Sequence, residues 1–175
     1  MLKSIQYFEE KGISKLEEII ENFIKNPKDM NLLVQGIQKE MTVLGLHIIS
    51  ETIENCDDML RMSGKRKENW QIVKRDEKKL LTSMGTITFF KTLFYNPATG
   101  EREYLLDRIL GIPSHERLTE DAKAKILEEA VCSSYQKAGE TVSMYEAVSK
   151  QTVMNTIHEL TFAIEKGTSE CYPAN

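Results

Sequence analysis

Hydrophobic residues recur at helical spacing through most of the chain, and the pattern changes to that of strands only near the centre. Leu16, Ile19 and Phe23 share one face of a helix that is expected over residues 15–25 and ends before Pro27. A shorter helix is expected over residues 3–10. Gly12 is expected to separate the two helices.

The next segment predicts a much longer helix, from an N-cap at Asp29 to about Met62. Its hydrophobic residues repeat close to a heptad seam, and they are Leu33, Ile37, Met41, Leu44 and Ile48. Such a seam needs a partner helix. The partner is either the helix over residues 15–25 or a second chain in a coiled coil, and the weakening of the seam after Ile53 favours the first.

The centre of the chain predicts a small antiparallel sheet of two to four strands. Residues 70–75 alternate in polarity, and the segment TITFFKTLFY after Gly85 is rich in β-branched and aromatic residues. A turn over residues 96–100 leads to a second strand over residues 101–106. The expected core of the sheet is Trp70, Phe89, Leu93 and Tyr104. So small a sheet is marginal alone, and we expect it to pack on a helix.

Thr119 predicts the start of another helix, with Glu120 and Asp121 in its first turn. The expected buried face of this helix is Ile126, Leu127, Ala130 and Val131. Beyond Ala163 the periodicity is lost, and residues 164–175 are expected to form a tail.

Residues 133–160 predict two helices joined by a short connection. Ser133 or Ser134 caps the first, and Ser149 caps the second. The buried stripe of the second helix is expected to be Val153, Ile157 and Leu160. Polar side chains remain for its other faces, and they are Lys150, Gln151, Thr152, Asn155 and His158. This layout is typical of a helix-turn-helix that carries polar side chains to base edges, although a generic pair of antiparallel helices has the same pattern.

Together these elements predict a mostly helical α+β chain in four parts. A helical hairpin region with one long helix occupies residues 1–63, and a small antiparallel sheet occupies residues 64–112. A helical region with the helix-turn-helix occupies residues 113–163, and the tail occupies residues 164–175.

The chain of 175 residues has a net charge of -4, which speaks against a simple binder of polyanions. Residues 61–118 carry twelve basic and seven acidic side chains, a balance of +5, whereas residues 1–60 and 119–175 have balances of -5 and -4. Phosphate contacts are therefore expected in the middle third, from Lys65, Arg66, Lys67, Lys74 and Arg75. Taken alone, the run over residues 65–67 is better explained as a solvated helix end, since basic side chains there interact favourably with the helix dipole.

Signals of catalysis, metal binding and membrane insertion are missing from the sequence. Cys56, Cys132 and Cys171 are odd in number and far apart, as is typical of reduced thiols rather than of a zinc site built on a CxxC pair. There is no phosphate-binding glycine loop, no long apolar run and no signal peptide. We therefore expect a cytoplasmic protein with no membrane partner, no cofactor or metal, and no catalysis by these residues.

Two blocks carry a family resemblance. The first is RDEKKLLTSMGTITFFKTLFYNPATGEREYLLDRILGI, and the second is LTEDAKAKILEEAVCSSYQKAGE followed closely by VSKQTV. In this order they resemble the amino-terminal region of the ISLre-type bacterial insertion-sequence transposases, long catalogued as an uncharacterised protein family. The stretches YFEEKGISKLEEIIENFIK and SGKRKENWQIVKRDEK are similar to that family too, so the resemblance extends to about Leu160.

The resemblance implies a mobile-element protein whose front part recognises the ends of its own element. The rear part of such proteins is a ribonuclease H-like domain whose acidic residues hold divalent metal. No acidic position of this chain matches those carboxylates. A truncated copy, a frameshifted copy or a fragment of the front domain would each have this sequence.

The preferred hypothesis is a DNA-binding domain whose partner is the double-stranded terminal repeat of the element, with homodimer formation left open. The alternative is a helical interaction module in which the helix from Asp29 to Met62 pairs two chains without specific DNA binding. A free-standing metal-dependent nuclease is the least favoured hypothesis.

Overall fold

The computed structural model describes residues 2–143 and 146–159. The chain is α+β and mostly helical, as predicted, and its three strands form an antiparallel sheet in the order β1-β2-β3. The elements are α1 (Lys3–Tyr7), a π-helical turn (Phe8–Gly12), α2 (Ile13–Lys25), α3 (Met30–Met62), α4 (Gly64–Asn69), β1 (Gln71–Leu81), β2 (Thr86–Tyr95), β3 (Arg102–Glu103), α5 (Leu105–Leu110), α6 (Glu120–Cys132), α7 (Tyr135–Glu140) and α8 (Lys150–Glu159). Leu160 and the expected tail at residues 164–175 lie outside the described residues.

The first helical segments run into one another, so the expected interruption at Gly12 was wrong. Gly12 has helical backbone angles, φ -71° and ψ -39°. A Cβ atom at this position would lie 2.1 Å from Cδ2 of Phe8, so glycine is what lets the Phe8 ring rest against the backbone. The chain accommodates that ring in the π-helical turn instead of breaking the helix.

The long helix was predicted within a residue at each end, but only part of its predicted seam is covered. The Asp29 carboxylate accepts a hydrogen bond from the Leu32 amide at 3.1 Å and caps α3. The helix α2 packs antiparallel against α3, with Ile19 resting on Gly36 and Lys15 paired with Glu40 at 3.3 Å.

The predicted seam residues Ile37 and Met41 are therefore exposed rather than packed on α2. Each follows a contact residue, Gly36 or Glu40, by one position, and one position turns a side chain by about 100° around the helix. The prediction that α2 is the partner was right, and the predicted seam was right in part: Leu33, Leu44 and Ile48 are half-buried, whereas Ile37 and Met41 are exposed.

The strands form a long hairpin with a short third strand. In the pairing of β1 with β2 the register shifts between Ile72 and Lys74, which marks a β-bulge. The predicted turn is confirmed, since the Asn96 amide donates to the Glu101 carbonyl at 2.9 Å and Gly100 has a φ of +77°. The strand expected over residues 101–106 was too long, because α5 begins at Leu105.

The sheet packs on α3, as expected. Leu80, Ile87, Phe89 and Leu106 form the buried centre, and side chains of α3 such as Ile53 pack against them. Of the predicted core residues, Phe89 is fully buried, whereas Trp70, Leu93 and Tyr104 are half-buried.

Two carboxylates of α3 accept hydrogen bonds on the side of β2 that faces away from β1. The buried Asp57 of α3 accepts from the Thr92 amide at 2.9 Å and from the Thr92 hydroxyl at 2.6 Å. Glu54 of α3 accepts from the Phe90 amide at 2.8 Å. These bonds satisfy edge amides that would otherwise be free to pair with another strand.

The helices α6, α7 and α8 pack into one unit, called the carboxyl-terminal unit below, at the end of the β1–β2 hairpin that is farther from α4. Its buried centre is Leu81, Leu118, Ala122, Ile126, Ala138, Val142 and Val153. The Thr119 hydroxyl donates to the Leu81 carbonyl at 3.1 Å, so it ties the unit to β1 and does not cap α6. Of the expected buried face of α6, Ile126 is fully buried and Leu127 and Ala130 are half-buried, whereas Val131 is exposed.

Candidate nucleic-acid interface

The helix α8 begins where the sequence predicted. The Ser149 hydroxyl accepts from the Thr152 amide at 3.1 Å and satisfies an amide of the first turn. Val153 and Thr156 face the unit and are buried, while Ile157 is half-buried. One side of α8 is thereby fixed against α6 and α7.

Three of the five polar residues predicted on α8 share its exposed side. Gln151, Asn155 and His158 follow one another at spacings of four and three residues and are all exposed. The Gln151 side-chain amide donates to Oδ1 of the Asn155 side chain at 2.8 Å, so the two side-chain amides are held side by side. This exposed row is called the amide face below.

The other two polar residues lie beside the amide face. Lys150 is exposed at the start of the helix. Thr152 is half-buried, and its hydroxyl lies 3.0 Å from that of Ser149. The amide face is therefore three residues long and carries no fixed charge.

The crossing of α7 and α8 depends on a close backbone approach at Gly139. The Val148 amide donates to the Gly139 carbonyl at 2.9 Å. A Cβ atom on Gly139 would lie 2.4 Å from the Val148 carbonyl oxygen, so only glycine fits without movement of the backbone. Ser134 caps α7 by accepting from the Lys137 amide at 3.3 Å, as predicted.

The basic residues around α4 divide into two groups. Lys65 and Lys67 are exposed. Arg66 is turned inward, where it donates to the carbonyls of Leu60 at 3.3 Å and Trp70 at 3.2 Å. Its guanidinium also lies 5.5 Å from the centre of the Phe94 ring. Arg66 thus holds the carboxyl end of α3 against the sheet.

Two more predicted basic residues lie on the exposed part of β1. Lys74 is paired with Asp76 at 3.0 Å but remains largely exposed. The Arg75 guanidinium lies 5.6 Å from the centre of the Phe90 ring, and Phe90 is itself exposed. A cation held over an accessible aromatic ring is an arrangement that also serves in nucleic-acid binding.

The amide face and the cluster at α4 are not brought together. The helix α4 precedes β1, whereas the unit that holds α8 is attached where β1 ends, at Leu81. The eleven residues of β1 span about 36 Å at roughly 3.3 Å per residue. The amide face and the basic residues of α4 lie at opposite ends of the β1–β2 hairpin.

Acidic residues of the last third are partly engaged elsewhere. Glu146 accepts from both the amide and the hydroxyl of Thr86 and so anchors the α7–α8 connection to β2. Glu140 accepts from the Gln136 side chain at 3.2 Å. Glu159, at the end of α8, is exposed.

A buried polar cluster on the sheet was missed by the sequence analysis. Lys91 of β2 pairs with Asp107 of α5 where both are buried, and its ammonium lies 3.9 Å from the centre of the Tyr104 ring. The Tyr104 hydroxyl donates to Asp76 at 2.6 Å, which lowers the pKa of Asp76. Burial, together with that bond, raises the pKa of Tyr104 to about 12. A lysine inside an apolar strand and an aspartate inside LLDRIL were the available signals.

Within residues 2–143 and 146–159 there is no group of three side chains suited to hold a metal ion. Over the same part of the chain, no helix has the length and apolar character needed to cross a bilayer. Cys56 and Cys132 are free thiols, and Cys171 lies outside the described residues.

Comparison with known proteins shows which family this chain is similar to. The model of the uncharacterised protein family UPF0236 matches residues 23–172. Three UPF0236 proteins of Caldanaerobacter subterraneus subsp. tengcongensis are each 34% identical, over 146, 148 and 148 residues. The name of the first joins eleven gene designations of that strain, and the name of the third joins four.

These matches cover most of this chain but a minority of each relative. They take in 83%, 82% and 82% of this chain, and 31%, 32% and 31% of the relatives. The chain thus spans about a third of the length of the curated relatives it matches. No solved structure matches it.

Proposed function

This chain belongs to the uncharacterised protein family UPF0236, and we propose that it is a DNA-binding domain of an insertion-sequence transposase. The observation that carries the proposal is the amide face of α8, where uncharged hydrogen-bonding side chains are exposed on a helix whose opposite side is buried. The resemblance of the two sequence blocks to ISLre-type transposases supports the same function.

In this function α7 and α8 act as a helix-turn-helix, with α8 in the major groove. Side-chain amides suit this role because Asn and Gln pair with adenine through two hydrogen bonds. Gln151 lies in the first turn of α8, the part of a recognition helix that contacts base edges, and Asn155 and His158 follow on the same face. Lys150 and Thr152, beside that face, are assigned to the adjoining sugar-phosphate backbone.

Phosphate contacts at a distance are assigned to Lys65, Lys67, Lys74 and Arg75. These residues lie at or toward the end of β1 away from α8, so in this proposal their phosphates are outside the stretch of duplex that α8 contacts. Arg66 is left out of this set because its guanidinium is bonded to the carbonyls of Leu60 and Trp70.

The names of the relatives support the proposal that the gene belongs to a mobile element. Eleven gene designations under one protein name are what repeated copying of one gene within a genome would leave. We assign the metal-dependent cutting and joining of DNA to the two thirds of those relatives that lie outside the match.

Selection from a random duplex library tests the function directly. The purified chain is expected to enrich one sequence motif, and its dissociation constant for that motif should be at least about a thousandfold lower than for a scrambled duplex. Absence of an enriched motif, together with equal affinity for all duplexes, would contradict specific recognition.

The salt dependence of binding tests the phosphate contacts. Changing Lys65 and Lys67 to Ala should weaken binding to selected and scrambled duplexes alike and reduce the slope of log affinity against log salt by about two. The matched control is Lys25→Ala, an exposed lysine at the end of α2, which should leave the slope unchanged. An unchanged slope in the double variant would remove α4 from the interface.

A further inference from the structure

Ten large aliphatic side chains of α2 and α3 are exposed, and seven of them, exposed over 37% to 69% of their surface, share one side of the helical hairpin. The seven are Ile13, Ile20, Ile24, Met30, Val34, Ile37 and Met41. This set is called the hairpin face below. Single exposed aliphatic residues are ordinary, but a contiguous set of this size marks an interaction surface.

The seven side chains lie on one side of the helical hairpin. Ile20 follows the contact residue Ile19 by one position, and Ile37 follows Gly36 in the same way. Each is therefore turned by about 100° from the α2–α3 contact, in the same rotational sense along its own helix. Since the two helices are antiparallel, equal rotations bring both rows to the same side.

The spacing on α3 indicates that the missing partner is helical. Met30, Val34, Ile37 and Met41 follow one another at four, three and four residues, which is the heptad spacing of helices that pair along a seam. A small molecule or a strand would not require that spacing.

The charges at the border of the hairpin face indicate how it is covered. The face itself has no charged residue, while Glu17 and Glu21, the latter paired with Lys25 at 3.7 Å, lie along its α2 border and Asn31 lies along its α3 border. If α2 packed on α2 of a second copy, the two acidic borders would meet and repel. If α2 packs on α3 of that copy, the carboxylates meet an uncharged amide border instead.

We propose that the hairpin face binds a second copy of this chain, so that two hairpins form a four-helix bundle with α2 of each copy against α3 of the other. An apolar, uncharged face is its own complement under twofold symmetry. The seven half-exposed side chains offer about 600 Å² of apolar surface. With the polar border this approaches the roughly 800 Å² per partner of a stable interface. The dimer is independent of DNA binding.

Sedimentation velocity of the whole chain, from about 0.1 to about 100 µM, tests this surface. The native chain should form a dimer that dissociates on dilution. Changing Ile37 and Met41 together to Lys should raise the dissociation constant at least about a hundredfold, at about tenfold or more for each substituted position, because each position occurs twice in the symmetric dimer. The control is Val131→Lys on α6, which is even more exposed than these residues and should leave the dimer unchanged.

Circular dichroism of each variant shows whether the helices persist. If the lysine pair lowers the helix content, Gln at the same two positions carries the test, because Gln is a good helix former and uncharged. A chain that is monomeric at every concentration would overturn the proposal and assign the hairpin face to a different partner. A dimer that is equally stable in the folded Ile37 and Met41 variants would overturn it as well.

Discussion

The two helical regions of the molecule present opposite surfaces, although both consist of helices packed side by side. In the helical hairpin of α2 and α3, no residue of α2 is buried, and aliphatic side chains face outward. In the unit of α6, α7 and α8, by contrast, Ala138, Val142 and Val153 are fully buried, and α8 directs amides outward. In our proposals a second copy of the chain covers the first surface, whereas the second surface binds a polar ligand, DNA.

Truncation of one isoleucine in each region should give the largest difference between the two regions, measured as the loss in free energy of unfolding. Ile126→Ala in α6 removes a fully buried side chain and should lower the free energy of unfolding by about 2–5 kcal/mol. Ile24→Ala in α2 removes a mostly exposed side chain and should change it by less than about 0.5 kcal/mol in the monomer.

Urea denaturation at low protein concentration measures both isoleucine variants without a contribution from dimerisation. Equal losses would show that the hairpin is as well packed as the carboxyl-terminal unit. The contrast between the two regions would then be wrong.

Substitution of one glycine inside the unit of α6, α7 and α8 and of one outside it tests how tightly that unit is packed. Gly139→Ala places a Cβ atom against the Val148 carbonyl oxygen and should destabilise the fold by about 1–3 kcal/mol. Gly64→Ala in α4 meets no atom within 4 Å and should be neutral or slightly stabilising. Thermal unfolding followed by circular dichroism compares the two variants, and similar midpoints would mean that the α7–α8 crossing is not tight.

The sheet between the two regions should have its own, smaller signature at alkaline pH. Tyr104 must stay protonated to donate to Asp76, and its pKa rises from an ordinary value of 10.0 to about 12 in the folded chain. Its contribution to stability is therefore complete below pH 10 and is lost as the pH rises from 10 to about 12. Tyr104→Phe should flatten the fall of the melting temperature in that window.

The matched control for the alkaline profile is Tyr135→Phe, on α7 and away from the sheet. It should leave the profile as it is in the native chain. A profile that responds equally to both substitutions would mean that the Tyr104 bond adds nothing specific.

Local signals made much of the fold predictable. Asp29 and Ser149 cap α3 and α8 as expected, and the turn over residues 96–100 closes as its sequence indicates. Each of these features depends on hydrogen bonds between residues close in the chain. The amide face could be predicted for the same reason, because the spacing along one helix fixes which side chains lie together.

Features that depend on distant residues could not be predicted in this way. Both Gly36 and Ile37 offered α3 a plausible contact face, and only packing against Ile19 decides between them. Arg66 belonged to a basic run that looked solvated, yet carbonyls at the end of α3 and the Phe94 ring draw it inward.

Distance along the sheet is the other feature that the sequence conceals. The predicted basic residues of α4 are separated from the amide face by the full length of β1, and Lys74 and Arg75 by about half of it, because the strand continues to Leu81 rather than ending near Arg75. A predicted site can thus contain the right side chains and still extend over more of the molecule than their order suggests.

The discrimination between selected and scrambled duplexes by a Gln151→Ala, Asn155→Ala double variant tests most directly whether α8 reads DNA. We expect its dissociation constant for the selected duplex to rise about 10- to 100-fold while that for the scrambled duplex stays within about twofold, because base contacts are lost and phosphate contacts remain. A double variant that keeps the native ratio between the two duplexes, with its fold intact, would contradict the assignment of α8 as the recognition helix.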